Sequence, residues 1–196
     1  MNLPNKLSLL RIIMVPFMMF FYLADFIPYG IGKIVAIVLF ILAALTDMLD
    51  GKIARKNNLI TDLGKFLDPI ADKLLTSTAF LLIAIDGTIP APWGVIVVAI
   101  IVAREYAVSA LRQIAATKGV VLAADKWGKL KTVVQMVALP FAMLVSYLAV
   151  CGFASATVIT TFAIISYVLI GLATILTIVS GIHYLVKNRE CFKDEK

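Results

Sequence analysis

Long apolar runs separated by short polar connections make up the chain. Uninterrupted or nearly uninterrupted apolar stretches occupy Ile12–Ala24, Ile34–Leu45, Leu74–Ile85, Val95–Ala103, Val133–Val150 and Ala154–Tyr184. Turn-prone residues fall between them, namely Pro28 and Gly30, Gly87, Pro90 and Pro92, and Gly152. Such runs predict helices that satisfy their backbone hydrogen bonds internally, as a bilayer requires. The expectation is an all-α, polytopic integral membrane protein with six transmembrane helices, residues 1–196 forming one membrane domain. Pro4 and Asn5 precede Lys6 and Arg11, and no small-residue cleavage site follows the first run, so that run is expected to remain as a mature helix.

Composition supports this pattern, since 62% of residues are apolar against roughly 45–50% in soluble domains. Cations are sorted along the chain. Lys6 and Arg11 lie at the start, Lys52, Arg55, Lys56, Lys65 and Lys73 around the second connection, and Arg104, Arg112, Lys118, Lys126, Lys129 and Lys131 around the fourth. Lys187, Arg189, Lys193 and Lys196 close the chain, leaving Lys33 for the opposite side. Retention of Lys and Arg in the cytoplasm then puts both termini there. The net charge of +6 reads as topology plus affinity for anionic phosphates and lipids of a cell membrane, with nucleic acid not expected as a partner. Cys151 and Cys191 fall on opposite sides in this scheme, which excludes a disulfide between them.

Some charges sit too deep to be simple flanks. At 1.5 Å per residue, Asp47 is about 28 Å from Pro28, Asp72 about 21 Å from Asp86 and Arg104 about 18 Å from Pro92, against ~30 Å of hydrocarbon. Isolated charges there are costly, so the three helices are expected to share a polar recess open to the cytoplasm. The last run is free of formal charge apart from His183 and is expected at the periphery, where Gly171 and Gly181 would allow close helix approach, as in a homodimer, or ordinary lipid-facing packing. His183, Trp93, Trp127, Tyr29 and Tyr106 read as interface or packing residues.

Asp47 and Asp50, three residues apart, share one helix face beside Gly51 and Ala54, which leave room for a ligand, and Arg55 follows as a phosphate partner. Gly64, Asp68 and Asp72 recur at i, i+4 and i+8, one stripe of a helix in which Pro69 either makes a kink or marks the first turn. Asp62 lies off that stripe and reads as a cap beside Thr61. Four clustered carboxylates repel unless a cation neutralises them, and hard oxygen donors without His or Cys favour Mg²⁺ or Mn²⁺. Such an ion suits phosphoryl transfer, in which a loosely held carboxylate can accept a proton from a hydroxyl nucleophile. The competing readings are helix caps or interfacial anchors, and a divalent-cation transporter with the acids as its permeation site.

These residues resemble a known family. Asp47, Asp50, Gly51, Ala54, Arg55, Gly64, Asp68 and Asp72 reproduce the D-x-x-D-G-x-x-A-R-x₈-G-x₃-D-x₃-D signature of the CDP-alcohol phosphatidyltransferases. The resemblance implies CMP-releasing transfer of a phosphatidyl group from CDP-diacylglycerol to an alcohol. It implies Asp47, Asp50, Asp68 and Asp72 as metal ligands, Asp72 as general base, and Asp47, Gly51, Ala54, Arg55 and Gly64 as the CDP-diacylglycerol site.

For the acceptor, Arg104 and Arg112 lie two turns apart on roughly one face and could bind an anionic acceptor, preferably a phosphate, through paired hydrogen bonds. A structural arrangement of Arg104 with Glu105 is the alternative, and of Lys129 and Lys131 one is expected to face the cavity and the other solvent. The stretch Ala103–Thr132 and the opening Pro4–Ile12 are similar to those of the phosphatidylglycerophosphate synthases within this family. That likeness implies sn-glycerol 3-phosphate as acceptor, bound by Arg104, Arg112, Lys129 and Lys131, with Asn5 added to the CDP-diacylglycerol site. Inositol phosphate, serine and phosphatidylglycerol are the alternative acceptors.

Overall fold

The computed structural model describes residues 2–56, 62–117 and 126–188, of which the side chains at 3, 4, 48–56, 62, 65 and 117 are not described. Six helices follow one another: α1 (Leu3–Leu23), α2 (Ile31–Lys56), α3 (Asp62–Ile85), α4 (Trp93–Thr117), α5 (Lys126–Val150) and α6 (Ala156–Lys187). No strand occurs among the described residues. Pro16, Pro69 and Pro140 lie inside α1, α3 and α5, as apolar surroundings tolerate when neighbouring groups take up the freed carbonyls. Pro69 therefore does not open α3, which begins seven residues earlier.

All but α3 of these helices, five in number, are long and apolar enough to cross a membrane. In α3 the charges Asp68, Asp72 and Lys73 crowd its first half, so the apolar stretch that follows them is short of the ~20 residues a span needs. The expected count of six rests on that helix. Large apolar side chains such as Phe17, Phe20, Ile85, Val168, Ile175 and Ile182 are exposed around the bundle, an arrangement suited to lipid rather than water.

α1 packs on α2 and α3, α2 on α5, α5 on α6, and α4 bridges α3 and α6. At the α1/α2 crossing a Cβ on Gly32 would come within 2.3 Å of the Phe21 carbonyl oxygen, so only glycine permits this approach. Met18, Tyr22, Phe40, Leu75, Phe80 and Leu139 fill the interior between these helices.

At the end of the bundle reached after α3, a polar knot joins four segments. Tyr22 of α1 donates a hydrogen bond to Asp86. Lys33 of α2 reaches Ser146 Oγ of α5 at 2.6 Å and Asp86 at 3.4 Å, and its Nζ lies 4.4 Å from the centre of the Tyr22 ring. Asp86 also accepts the Thr88 amide at 2.9 Å. Burial would raise the Asp86 pKa, but hydrogen bonds from Ser146, Thr88 and Tyr22 outweigh it and hold the carboxyl below its ordinary value. Lys33, the cation assigned to this side by charge sorting, thus has a counterion.

The last helix is less peripheral than its composition suggests. One face of α6 lies against α4 and α5, and Gly181 serves contact within the chain, since a Cβ there would sit 3.0 Å from Arg104 Cγ. Gly171 has open space beside it.

Candidate active site

α2, α3, α4 and α5 meet around a cavity of about 510 Å³ at the end of the bundle opposite the Asp86 knot. Asp47, Asp68 and Asp72 form its acidic wall, and Arg104, Arg112, Lys129 and Lys131 line it from α4 and α5. The structure thus gathers acids and cations that lie up to 84 positions apart in sequence into one space. Asp50, Gly51, Ala54 and Arg55 continue α2 beyond Asp47, but their side chains lie outside the described residues, as do Thr61 and the Asp62 side chain on which the capping assignment rests. Asn5 and Gly64 are buried and are absent from the lining of this cavity.

The acidic wall is held from behind by α1. Arg11 Nη1 donates to Asp47 Oδ1 at 2.6 Å, with the arginine side chain fully buried and Asp47 43% exposed. Ser8 Oγ donates to Asp68 Oδ1. Neither residue was expected at the site, because Arg11 reads as a topological flank and Ser8 was given no role of its own. A signal was available: Asn5, Ser8 and Arg11 recur at i, i+3 and i+6 and are all buried, whereas Leu9, Leu10 and Ile13 between and beyond them are exposed. A polar stripe turned inward on an apolar helix marks a polar interior.

Among the described residues, which do not include the Asp50 side chain, no three of His, Cys, Asp and Glu stand close enough to cage a metal ion. The donor chemistry nonetheless fits a hard divalent cation, since the acidic wall is carboxylate throughout.

On the basic wall three of the four cations, Arg104, Arg112 and Lys131, are already engaged. Buried Lys131 donates to Glu105, whose other carboxylate oxygen lies 3.7 Å from Arg104 Nη1, so Glu105 bridges cations of α4 and α5. Lys129 is exposed yet borders the same cavity, so both lysines reach it where one was expected to. Arg104 Nη2 donates to Ser180 Oγ of α6 at 2.9 Å, and Arg112 Nε donates to the Tyr184 hydroxyl at 3.2 Å. The expected Arg104–Glu105 arrangement and the expected cavity position of Arg104 therefore coexist. Thr177, Ser180 and Tyr184 form a second buried polar stripe, on a helix otherwise apolar enough to pass as plain membrane packing.

An acidic wall that suits a metal-bound diphosphate, facing a basic wall that suits a second anion, fits transfer between two phosphate-bearing substrates. Comparison with known proteins points the same way. The chain is 40% identical to the CDP-diacylglycerol--glycerol-3-phosphate 3-phosphatidyltransferase of Bacillus subtilis (strain 168), the alignment covering 98% of this chain and 97% of that protein. It is 34% identical to the protein of the same name from Rickettsia felis, over 97% of each chain. With the one from Salmonella typhimurium it shares 36% identity, over 85% of this chain and 92% of the relative. The sequence profile of the CDP-alcohol phosphatidyltransferases matches residues 1–186, and the chain belongs to that family.

Proposed function

We propose that this protein transfers the phosphatidyl group of CDP-diacylglycerol to sn-glycerol 3-phosphate, releasing CMP and forming phosphatidylglycerophosphate. The observation that carries this reading is the single cavity in which Asp47, Asp68 and Asp72 face Arg104, Arg112, Lys129 and Lys131. The names of the relatives supply the same donor and acceptor.

In this reading the cytidine diphosphate lies along α2 and the start of α3, with Asn5, Asp47, Gly51, Ala54, Arg55 and Gly64 around it. Asp47, Asp50, Asp68 and Asp72 would hold Mg²⁺ or Mn²⁺, whose chemistry is to neutralise the diphosphate and the charge developing on departing CMP. Asp72, one turn beyond Asp68 on α3, accepts the proton of the acceptor hydroxyl as the hydroxyl oxygen forms its bond to the phosphatidyl phosphorus and the bond to CMP breaks. Arg104, Arg112, Lys129 and Lys131 bind the acceptor phosphate and orient the hydroxyl for attack. Arg11 and Ser8 hold Asp47 and Asp68 in place from α1.

The same reading has six spans, both termini and the cavity at the cytoplasmic face of the cell membrane, because every cation lining the cavity lies on the side where Lys and Arg accumulate. α3 completes the set of six by placing its charged half in the cavity rather than in lipid.

The test is an acceptor panel. Purified protein is given CDP-diacylglycerol with Mg²⁺ or Mn²⁺ and equal concentrations of glycerol 3-phosphate, inositol phosphate, serine or phosphatidylglycerol, and CMP is followed. Glycerol 3-phosphate should be used far better than the others. Absence of CMP with every acceptor overturns the chemistry, and preference for another acceptor overturns the assignment of the basic wall.

A further inference from the structure

The two arginines of the basic wall are aimed by a helix that does not line the cavity. Arg104 and Arg112 are eight residues apart on α4, about 12 Å along the axis, whereas their partners Ser180 and Tyr184 are four apart on α6, about 6 Å. The pairs occur in the same order on both helices, so α4 and α6 run in parallel and the two guanidinium groups lean toward each other.

Each partner is itself fixed. Ser180 is buried and donates its hydroxyl proton to the Thr177 carbonyl at 3.2 Å, which leaves a lone pair for Arg104 Nη2 at 2.9 Å. Tyr184 is 2% exposed, packed with Val108 and Leu111 of α4. Its hydroxyl accepts from Arg112 Nε at 3.2 Å, and the guanidinium carbon lies 5.3 Å from its ring centre. Occupying Nε in this way leaves both terminal nitrogens of Arg112 for a ligand. Gly181 between them lets the stem of Arg104 lie against the helix.

We propose that Ser180 and Tyr184 are positioning residues that converge Arg104 and Arg112 on one phosphate, that of the acceptor. This rests on the assignment of the basic wall to acceptor binding. A free arginine can adopt many rotamers, and fixing two of them in advance lowers the entropic cost of binding a small dianion.

The experiment compares steady-state kinetics for Tyr184→Phe, Ser180→Ala, Ser180→Thr, Arg104→Ala and Arg112→Ala, with the double variant Tyr184→Phe/Arg112→Ala. Loss of one hydrogen bond to a charged group predicts about a tenfold rise in KM for glycerol 3-phosphate in Tyr184→Phe and Ser180→Ala. The expected kcat and KM for CDP-diacylglycerol stay within about twofold, Ser180→Thr recovers the acceptor KM, and Tyr184→Phe adds nothing once Arg112 is alanine. If both arginine variants raise the acceptor KM while Tyr184→Phe and Ser180→Ala do not, the positioning role is overturned and the basic wall stands. If neither arginine variant changes it, the basic-wall assignment falls and the proposal with it. A parallel loss in kcat and both KM values, or additivity of Tyr184→Phe with Arg112→Ala, overturns positioning in favour of general packing.

Discussion

Arg11 of α1, with no solvent exposure, is joined to Asp47 of α2 by a 2.6 Å ion pair. It is a buried cation fastened to the first carboxylate of the acidic wall, and the bond is charge-assisted on both sides. Arg11→Met keeps most of the apolar stem and removes the charge. It should destabilise the protein in detergent by about 1.5–3 kcal/mol and sharply lower activity, with Arg11→Lys intermediate. Unchanged unfolding and turnover in Arg11→Met would show that Asp47 is held by other means.

Asp72→Asn retains the shape of the side chain and removes its basicity. Turnover should be largely abolished while CDP-diacylglycerol binding, measured by equilibrium titration, persists. Wild-type turnover in this variant removes Asp72 as the base.

Arg104→Ala should act mainly on the acceptor. Losing a charged hydrogen-bond partner worth about 1.5–3 kcal/mol predicts a rise of roughly ten- to a hundredfold in apparent KM for glycerol 3-phosphate. An unchanged KM moves the phosphate site toward Arg112.

Divalent cation should be indispensable. Chelation with EDTA is expected to stop CMP release, and either Mg²⁺ or Mn²⁺ to restore it, because the carboxylate wall offers only hard oxygen donors. Full activity in excess EDTA is the contrary outcome.

The Asp86 knot gives a stability signature in acid. Its carboxyl is held below the ordinary value of 3.8, so the unfolded chain takes up this proton first as pH falls. The stabilisation is therefore complete above the ordinary value and is lost as pH drops below it through the folded value. Asp86→Asn should lower the melting temperature at neutral pH and reduce the difference between variant and wild type below about pH 4. A difference that does not vary with pH would mean that Asp86 stabilises through shape alone.

Apolar runs and Pro or Gly breaks match the helix ends near the Asp86 knot, whereas at the cavity end α1 to α5 run seven or more residues past those runs. Asp47, Asp72 and Arg104 line one cavity, the shared recess that their depth along the helices suggested. What escaped was the support behind them. Arg11 and Asp47 are 36 positions apart, and Arg104 and Ser180 are 76 apart. No local periodicity couples such residues. Arg11 was absorbed into the topological charge pattern and Ser180 into an apolar helix, so their roles became readable only once packing turned their polar stripes inward. α6 lies outside the cavity lining, as its apolar composition suggested, but hydropathy averages over a helix and hid the polar face it turns to Arg104 and Arg112.

The knot of Tyr22, Lys33, Asp86 and Ser146 cross-braces α1, α2, the end of α3 and α5 at the far end of the bundle. The cavity end is tied as well, through Arg11–Asp47, Ser8–Asp68 and Lys131–Glu105, so α1, α2, α3 and α5 are each pinned near both ends. The acidic wall is thus carried on struts fixed at two points about 20 Å apart.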